Sequence, residues 1–142
     1  MKTVELTRKF TFEMAHALRG YDGLCRNIHG HSYKLYVTVS GEPCKEPNNP
    51  KFGMVIDFAD LKKIVNELIV SKLDHSLVVR IGGDLTVLKG LDYRIVETEY
   101  QPTCENMVID FAEKIIPELP HGVQLTKIKL YETENSYATY RP

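Results

Sequence analysis

The sequence has few cysteines, no long apolar run and no surplus of charge of either sign. With only three cysteines in 142 residues, we expect no disulfide framework and a reduced, cytoplasmic compartment. No apolar stretch approaches the roughly 18 residues that cross a membrane, and the first residues alternate instead of forming a signal peptide. The formal net charge of −1 argues against a general nucleic-acid-binding protein.

A glycine-rich dinucleotide-binding loop is also missing, so we expect no nicotinamide cofactor. What is present fits one globular domain over residues 1–142. That length suits a single core, and a hydrophobic content of 43% is ordinary for such a domain.

Alternation of polar and apolar residues predicts two long strands near the N-terminus. Residues 4–16 carry apolar side chains on even positions, and His16 continues that parity. Residues 29–39 alternate in the same way, starting with His29 and His31. An antiparallel pairing of the two strands would place all three histidines on one side, at the strand ends that face the connecting loop.

Two helices are predicted in the middle of the chain. Asp57 is a good N-cap for a helix over about 58 to 72. Thr103 is an N-cap for a second helix, and Pro117 lies at the end of that helix.

The remaining segments predict strands with less periodicity. Residues 74–92 show no clear period, and residues 93–100 suggest a short strand or arm. Residues 123–133 and 135–141 predict two more strands. The order ββααββ predicts an α+β fold, a four-stranded antiparallel sheet with two helices on one face.

The histidines suggest a metal site. His29 and His31 are separated by one glycine, so in a strand their side chains lie on one face, about 6–7 Å apart. His16 offers a third imidazole. Three neutral imidazoles and one open position are typical of catalytic zinc, whereas a fourth ligand from Cys25 would make a closed, structural site. Cys25 is therefore either a ligand or a reactive thiol.

Asp74 and His75 follow the first predicted helix. His75 is either a charge at a helix C-terminus or, oriented by Asp74, part of a proton relay that keeps a cysteine as thiolate.

Two glutamates stand out among the other charged residues. Glu105 falls in the first turn of the second helix, where a capping charge is the simple explanation. Glu132 shares the parity of apolar residues in a strand, so it needs either an internal salt bridge or an N–C–N ligand edge that donates paired hydrogen bonds. Cys44 and Cys104 are assigned no role.

Six motifs occur in order along the chain: Phe-Glu-Met-Ala-His (12–16), Cys-x3-His-Gly-His (25–31), Met-Val-Ile-Asp-Phe-Ala-Asp-Leu-Lys (54–62), Leu-Asp-His (73–75), Pro-Thr-Cys-Glu-Asn (102–106) and Tyr-Glu-Thr (131–133). Each motif is weak alone, but the ordered set is specific. Together they resemble the 6-pyruvoyl-tetrahydropterin synthase / 6-carboxy-tetrahydropterin synthase family, and the resemblance extends from Phe10 to about Tyr140.

The resemblance implies a tunnelling fold (T-fold) and a role for each site residue. It implies Zn²⁺ on three histidine ligands, Cys25 as the base, and Asp74 with His75 as its relay. It also implies a pterin clamp at Glu132, with Glu105 lining the same pocket. The metal ligands are His16, His29 and His31.

The implied substrate is 7,8-dihydroneopterin triphosphate, and the implied assembly is a homohexamer of two stacked trimers with sites between subunits. The three-residue gap after Cys25 is similar to the bacterial 6-carboxy-tetrahydropterin branch. That branch releases triphosphate and acetaldehyde in the queuosine and deazapurine pathway.

Two alternatives stay open at the level of sequence: 6-pyruvoyl-tetrahydropterin synthase activity on the same substrate, and a non-catalytic zinc-stabilised pterin-binding module. The chain departs from the family pattern at Val79, where a polar residue is usual, and in the longer segment 80–101.

Overall fold

The protein, described here by a computed structural model over residues 1–82 and 85–142, is built on a six-stranded sheet. In chain order the strands are β1 (Val4–His16), β2 (His29–Gly41), β3 (Ser76–Arg80), β4 (Ile95–Thr98), β5 (Gln124–Tyr131) and β6 (Tyr137–Tyr140). In the sheet they lie in the order β4-β3-β1-β2-β5-β6.

The four strands expected from alternation are present and antiparallel. β1 and β2 pair along their whole length, and this register places His16 opposite His29 and Met14 opposite His31. β5 pairs with β2 and β6 pairs with β5, both antiparallel. The long β1–β2 ribbon therefore carries the three histidines at the end where the two strands join.

The predicted count of four strands and the wholly antiparallel sheet were wrong. β3 is parallel to β1, and β4 is parallel to β3. β3 falls in the segment that shows no period. Val78 and Val79, two adjacent residues of this strand, lie on opposite faces of the sheet and are both buried. A strand covered on both faces reads as a continuous apolar run. β4 lies within residues 93–100, where a short strand or arm was expected.

Both predicted helices are confirmed together with their caps. In α1 (Phe58–Val65) the Asp57 carboxylate accepts a hydrogen bond from the Ala59 N–H. The same helical segment continues through a π-helical turn and one short α-helical turn, Asn66–Val70 and Ser71–Leu73. A further single-turn helix, α2 (Thr86–Lys89), was not expected.

The second expected helix is α3 (Cys104–Ile115), whose Thr103 hydroxyl accepts from the Asn106 N–H. Pro117 lies in the 3-10 turn that follows. No helix of the described part of the chain is long and apolar enough to span a bilayer.

The core lies between the helices and one face of the sheet. Phe111 of α3 is fully buried and packs edge-on against Phe12 of β1, with ring centroids 6.4 Å apart. Leu61 of α1 joins the same cluster. The helices cover the face formed by the even-numbered side chains of β1, so His16 ends that strand at the edge of the core and is only 1% exposed.

Candidate functional site

Three histidines meet where β1 ends and β2 begins. His16 is the last residue of β1, while His29 and His31 open β2 on the same face. One ring nitrogen from each residue lies within 4.8 Å of the others. The group could therefore hold one metal ion, and Cys25 is not part of it.

Hydrogen bonds from the second ring nitrogen orient two of the imidazoles. His16 Nδ1 lies 2.7 Å from the Pro102 carbonyl oxygen, and His29 Nδ1 lies 2.7 Å from the Asn27 carbonyl oxygen. A carbonyl only accepts, so each Nδ1 carries the proton and donates it. Each Nε2 is then left with a lone pair, which is the form that binds a metal ion.

The donor set fits a cation. The Nε2 atoms of His16 and His29 are 3.0 Å apart. Two lone pairs at that distance repel unless a proton or a cation lies between them. The Nε2 atom of His31 is buried and has no hydrogen-bond partner among the described residues.

Burial favours the neutral form of His16 and His31. It lowers the pKa of His16, against the opposing effects of the hydrogen bond to Pro102 and the nearby charge of Glu132. Burial also lowers the pKa of His31, again against the charge of Glu132. Since a metal ion binds the neutral imidazole, these shifts favour binding down to lower pH.

Glu132 lies beside the histidines, directly after β5. One carboxylate oxygen is 3.5 Å from His16 Nε2 and 3.6 Å from His31 Nε2. No lysine or arginine of the described residues pairs with this carboxylate, so the internal salt bridge considered from sequence is present only with the histidines. The carboxylate is available to a ligand bound beside the histidine group.

Cys25 lies in a 3-10 turn, Leu24–Arg26, and is exposed. It lines a pocket of about 390 Å³ together with Glu105, which belongs to the first turn of α3. Gln101 and Thr103 line the same pocket and flank Pro102, the residue whose carbonyl orients His16. The Cys25 pocket therefore adjoins the histidine group.

Asp74 and His75 form a close pair before β3. His75 Nδ1 is 3.0 Å from Asp74 Oδ1, which also accepts from the Glu13 N–H at 2.9 Å. That backbone hydrogen bond, with a smaller effect of His75, lowers the pKa of Asp74. The backbone of His75 has a φ of 58°, which is in the left-handed region. This conformation costs free energy in any residue other than glycine, and residues that adopt it cluster at functional sites.

One chain does not bring this pair to Cys25. The His75 side chain is 76% exposed and lines another pocket, of about 480 Å³, with Glu13 and Ser32. Glu13 and Ser32 lie on the face of the sheet opposite the helices, and the two pockets share no lining residue. No hydrogen bond or ion pair within the described residues joins Cys25 to Asp74 or His75.

The comparison with known proteins decides the family. The family model described as 6-pyruvoyl tetrahydropterin synthase matches residues 5–142. The chain belongs to this family. The resemblance inferred from the six motifs is thereby confirmed.

Relatives and solved structures agree over almost the whole chain. The 6-carboxy-5,6,7,8-tetrahydropterin synthase of Haemophilus influenzae is 37% identical over 144 residues, covering 96% of this chain and 98% of the relative. The human 6-pyruvoyl tetrahydrobiopterin synthase is 33% identical over 150 residues, with 96% and 90% covered. The 6-pyruvoyl tetrahydropterin synthase of Caenorhabditis elegans superposes with a TM-score of 0.70 at 29% identity, covering 100% and 97%. The tunnelling fold of the family is thus the fold of this chain.

Sequence reasoning did not identify Arg19 and Gln101, which also line the Cys25 pocket. Arg19 lies in a loop where a charged residue is ordinary, and Gln101 directly precedes the Pro-Thr motif of the family. Neither residue belongs to a periodic pattern or a motif that would have identified it from the sequence. Cys104, given no role, is buried, and its thiol donates to the Leu130 carbonyl at 3.1 Å.

Proposed function

We propose that this family member is a zinc-dependent 6-carboxy-5,6,7,8-tetrahydropterin synthase. It would convert 7,8-dihydroneopterin triphosphate with loss of triphosphate and acetaldehyde, in a cytoplasmic setting where its cysteines stay reduced. The observation that carries the proposal is the histidine group, with two Nε2 lone pairs 3.0 Å apart beside the Glu132 carboxylate. The name of the Haemophilus influenzae relative supports this product.

The three histidines would hold the zinc ion and leave one position open. When bound there, zinc supplies a Lewis acid that makes neighbouring C–H and O–H groups of the substrate more acidic. Three imidazoles without a thiolate ligand suit a catalytic site. The metal ligands in the proposal are His16, His29 and His31.

Glu132 and Glu105 would bind the substrate. The N–C–N edge of the amino-pyrimidine ring can donate two hydrogen bonds to the carboxylate of Glu132, which lies 3.5 Å from His16 Nε2. This contact would place the side chain of the pterin at the metal. Glu105, in the same pocket as Cys25, would contact the substrate from the start of α3.

Cys25 would act as the base. Its thiolate sulfur takes a proton from the substrate side chain and so starts the isomerisation. An ordinary thiol is mostly protonated near neutral pH, so it needs a partner that accepts its proton. His75 would be that partner, because Asp74, 3.0 Å away, stabilises the charged imidazole.

The relay would come from a second copy of the chain. Within one chain His75 is exposed and lines a pocket without Cys25. In a homohexamer of two stacked trimers, the Asp74–His75 pair of one subunit would meet Cys25 of its neighbour. This arrangement gives the exposed pair a function.

The product of purified protein tests the reaction. We expect incubation with dihydroneopterin triphosphate to yield a compound with the mass of 6-carboxy-5,6,7,8-tetrahydropterin. The second candidate function, supported by the 33% identity to the human pyruvoyl enzyme, predicts the mass of 6-pyruvoyl-tetrahydropterin. Bound but unchanged substrate would contradict both and favour a pterin-binding module.

The variant Cys25→Ala separates a catalytic from a structural metal site. We expect it to lose turnover and to keep one zinc ion per chain, measured by atomic emission on the purified protein. Loss of the zinc ion would instead indicate that the thiol is a fourth ligand.

Co-expression of two inactive variants tests the shared site. Cys25→Ala and His75→Ala chains, carrying different tags, are purified as mixed assemblies. If the site combines two chains, random mixing restores about a quarter of the parent activity. A site is complete only when one chain supplies an intact Cys25 and its neighbour supplies an intact His75. Mixed assemblies that form but stay inactive would contradict a shared site.

A further inference from the structure

We infer that Arg19 and Gln101 are positioning residues that hold the Cys25 loop in place beside the histidine group. The loop comprises residues 17–28, between β1 and β2. The inference rests on the proposed function where it concerns catalytic rate. It also concerns the order of the loop, which can be measured without turnover.

Gln101 joins the loop to the start of α3. Its side-chain N–H donates to the Arg19 carbonyl at 2.9 Å. Its own carbonyl accepts from the Thr103 N–H at 2.7 Å and from the Asn106 side chain at 3.0 Å. The carbonyl of the next residue, Pro102, accepts a hydrogen bond from His16 Nδ1. Gln101 is thus hydrogen-bonded to the loop, and the adjacent Pro102 is hydrogen-bonded to a candidate metal ligand.

Arg19 joins the loop to the end of β3. Its guanidinium donates to three consecutive carbonyls, those of Arg80, Ile81 and Gly82. Arg80 is the last residue of β3, and Ile81 and Gly82 follow it. The end of β3 is therefore attached to the Cys25 pocket through Arg19.

The loop has few other anchors that bear on Cys25. The Leu18 N–H donates to the Cys25 carbonyl at 2.9 Å, and the Tyr21 N–H donates to the Leu18 carbonyl at 3.1 Å. This hydrogen bond keeps Cys25 next to Leu18. The following residue, Arg19, is held by Gln101 through its carbonyl and by the end of β3 through its guanidinium. The contacts run from His16 through Pro102, Gln101 and the loop to the thiol.

Stability alone does not explain these two side chains. Arg19 Nε and Gln101 Oε1 are buried and have no hydrogen-bond partner among the described residues. An unpaired buried polar atom costs free energy, and an apolar side chain would avoid that cost. The hydrogen bonds made by the amide nitrogen of Gln101 and by the terminal guanidinium nitrogens of Arg19 place the loop.

The test uses Arg19→Met and Gln101→Leu with two matched controls, Arg80→Met and Gln124→Leu. The Arg80 side chain is exposed, and Gln124 is exposed at the start of β5. We expect kcat to fall at least about 10-fold with KM within about 3-fold, because displacing a reacting group costs rate more than binding. One zinc ion per chain should remain bound, and both controls should match the parent.

Hydrogen exchange provides the second readout. In Arg19→Met and Gln101→Leu, amides of residues 18–28 should exchange at least about 3-fold faster than in the parent, without substrate. Arg19→Lys, which keeps the charge but cannot reach three carbonyls, should give intermediate values. The isosteric Gln101→Glu removes the donor with little change of shape and serves if the leucine variant does not fold.

Unchanged exchange and a kcat within about 2-fold of the parent would overturn the inference. So would an equal loss of kcat in Arg80→Met, because that change leaves the Arg19 contacts intact. If the parent makes no pterin product, the proposed function fails, while the exchange measurement still decides whether Arg19 and Gln101 hold the loop.

Discussion

The carbonyls of Pro102 and Asn27 decide which nitrogen of His16 and His29 is free to bind a metal ion. Each carbonyl accepts the Nδ1 proton at 2.7 Å, and so each ring presents an Nε2 lone pair. The histidines were found from parity and spacing in the sequence. Their tautomers depend on residues 86 positions away for His16 and 2 positions away for His29. The chemistry of one residue here is decided by the backbone of another.

Replacement of Glu132 by glutamine should weaken substrate binding and leave the metal in place. The amide cannot accept two charge-assisted hydrogen bonds, so we expect KM to rise about 10- to 100-fold. Steady-state kinetics and zinc content check this, with Glu134→Gln in the neighbouring exposed loop as control. Loss of zinc from Glu132→Gln would show that the carboxylate is a ligand.

Cys104 should make the protein less stable in alkaline solution. Burial raises the pKa of this thiol from 9.0 to about 11. Between those values the unfolded chain releases the proton and the folded chain keeps it, so stability falls as the pH rises. From about pH 8 to pH 11 the parent should lose about 2 kcal/mol more than Cys104→Ala.

Urea unfolding at several pH values measures this difference. Cys44→Ala, which changes a half-buried loop cysteine, should follow the parent over the same range. A parallel pH dependence of the parent and Cys104→Ala would contradict the assignment to this thiol.

At the scale of secondary structure elements, α3 connects the core to the site. Its cap, Thr103, and its first-turn residue, Glu105, line the Cys25 pocket, while Phe111 lies in the centre of the core. The helix was predicted with its cap because capping and helical spacing are local. The contact between the segment before this helix and the Cys25 loop was not predicted, because it joins Gln101 to Arg19, which are 82 positions apart.

Replacement of Phe111 by alanine should destabilise the whole domain. The side chain is fully buried and packs against Phe12, so we expect a loss of about 3 to 5 kcal/mol in the free energy of unfolding. Glu113→Ala, on the exposed side of the same helix, should change it by less than about 0.5 kcal/mol. Denaturant unfolding compares the two variants, and equal stabilities would contradict the packing described here.

At the scale of the whole molecule, the histidine group joins the end of β1 and the start of β2 to α3 and β5. His16 contacts the residue before the α3 cap, and Glu132 brings the end of β5 to the same place. An ion bound there would stabilise contacts between elements that are far apart in the chain. Metal binding and folding should therefore be coupled.

Removal of the metal by a chelator should lower the melting temperature, and added zinc should restore it. At a free concentration 100 times Kd, binding to the folded state alone contributes about 2.7 kcal/mol. His16→Ala should not respond to the chelator, whereas His121→Ala, at the other end of the sheet, should respond like the parent. An equal response of His16→Ala and the parent would exclude these histidines as the ligands. Scanning calorimetry measures the shift.

The β1–β2 ribbon, both capped helices, the α+β class and the histidine group could all be predicted from the sequence. Each of these depends on a local pattern: parity along a strand, spacing along a helix, a capping side chain, or a motif. The rest of the fold depended on contacts between distant segments. β3 became visible only through its partners, because a strand buried on both faces has no alternation.

The separation of His75 from Cys25 and the bonds of Arg19 and Gln101 likewise depend on which distant segments meet. Those contacts come from packing over the whole chain. No residue's own sequence neighbourhood contains that information.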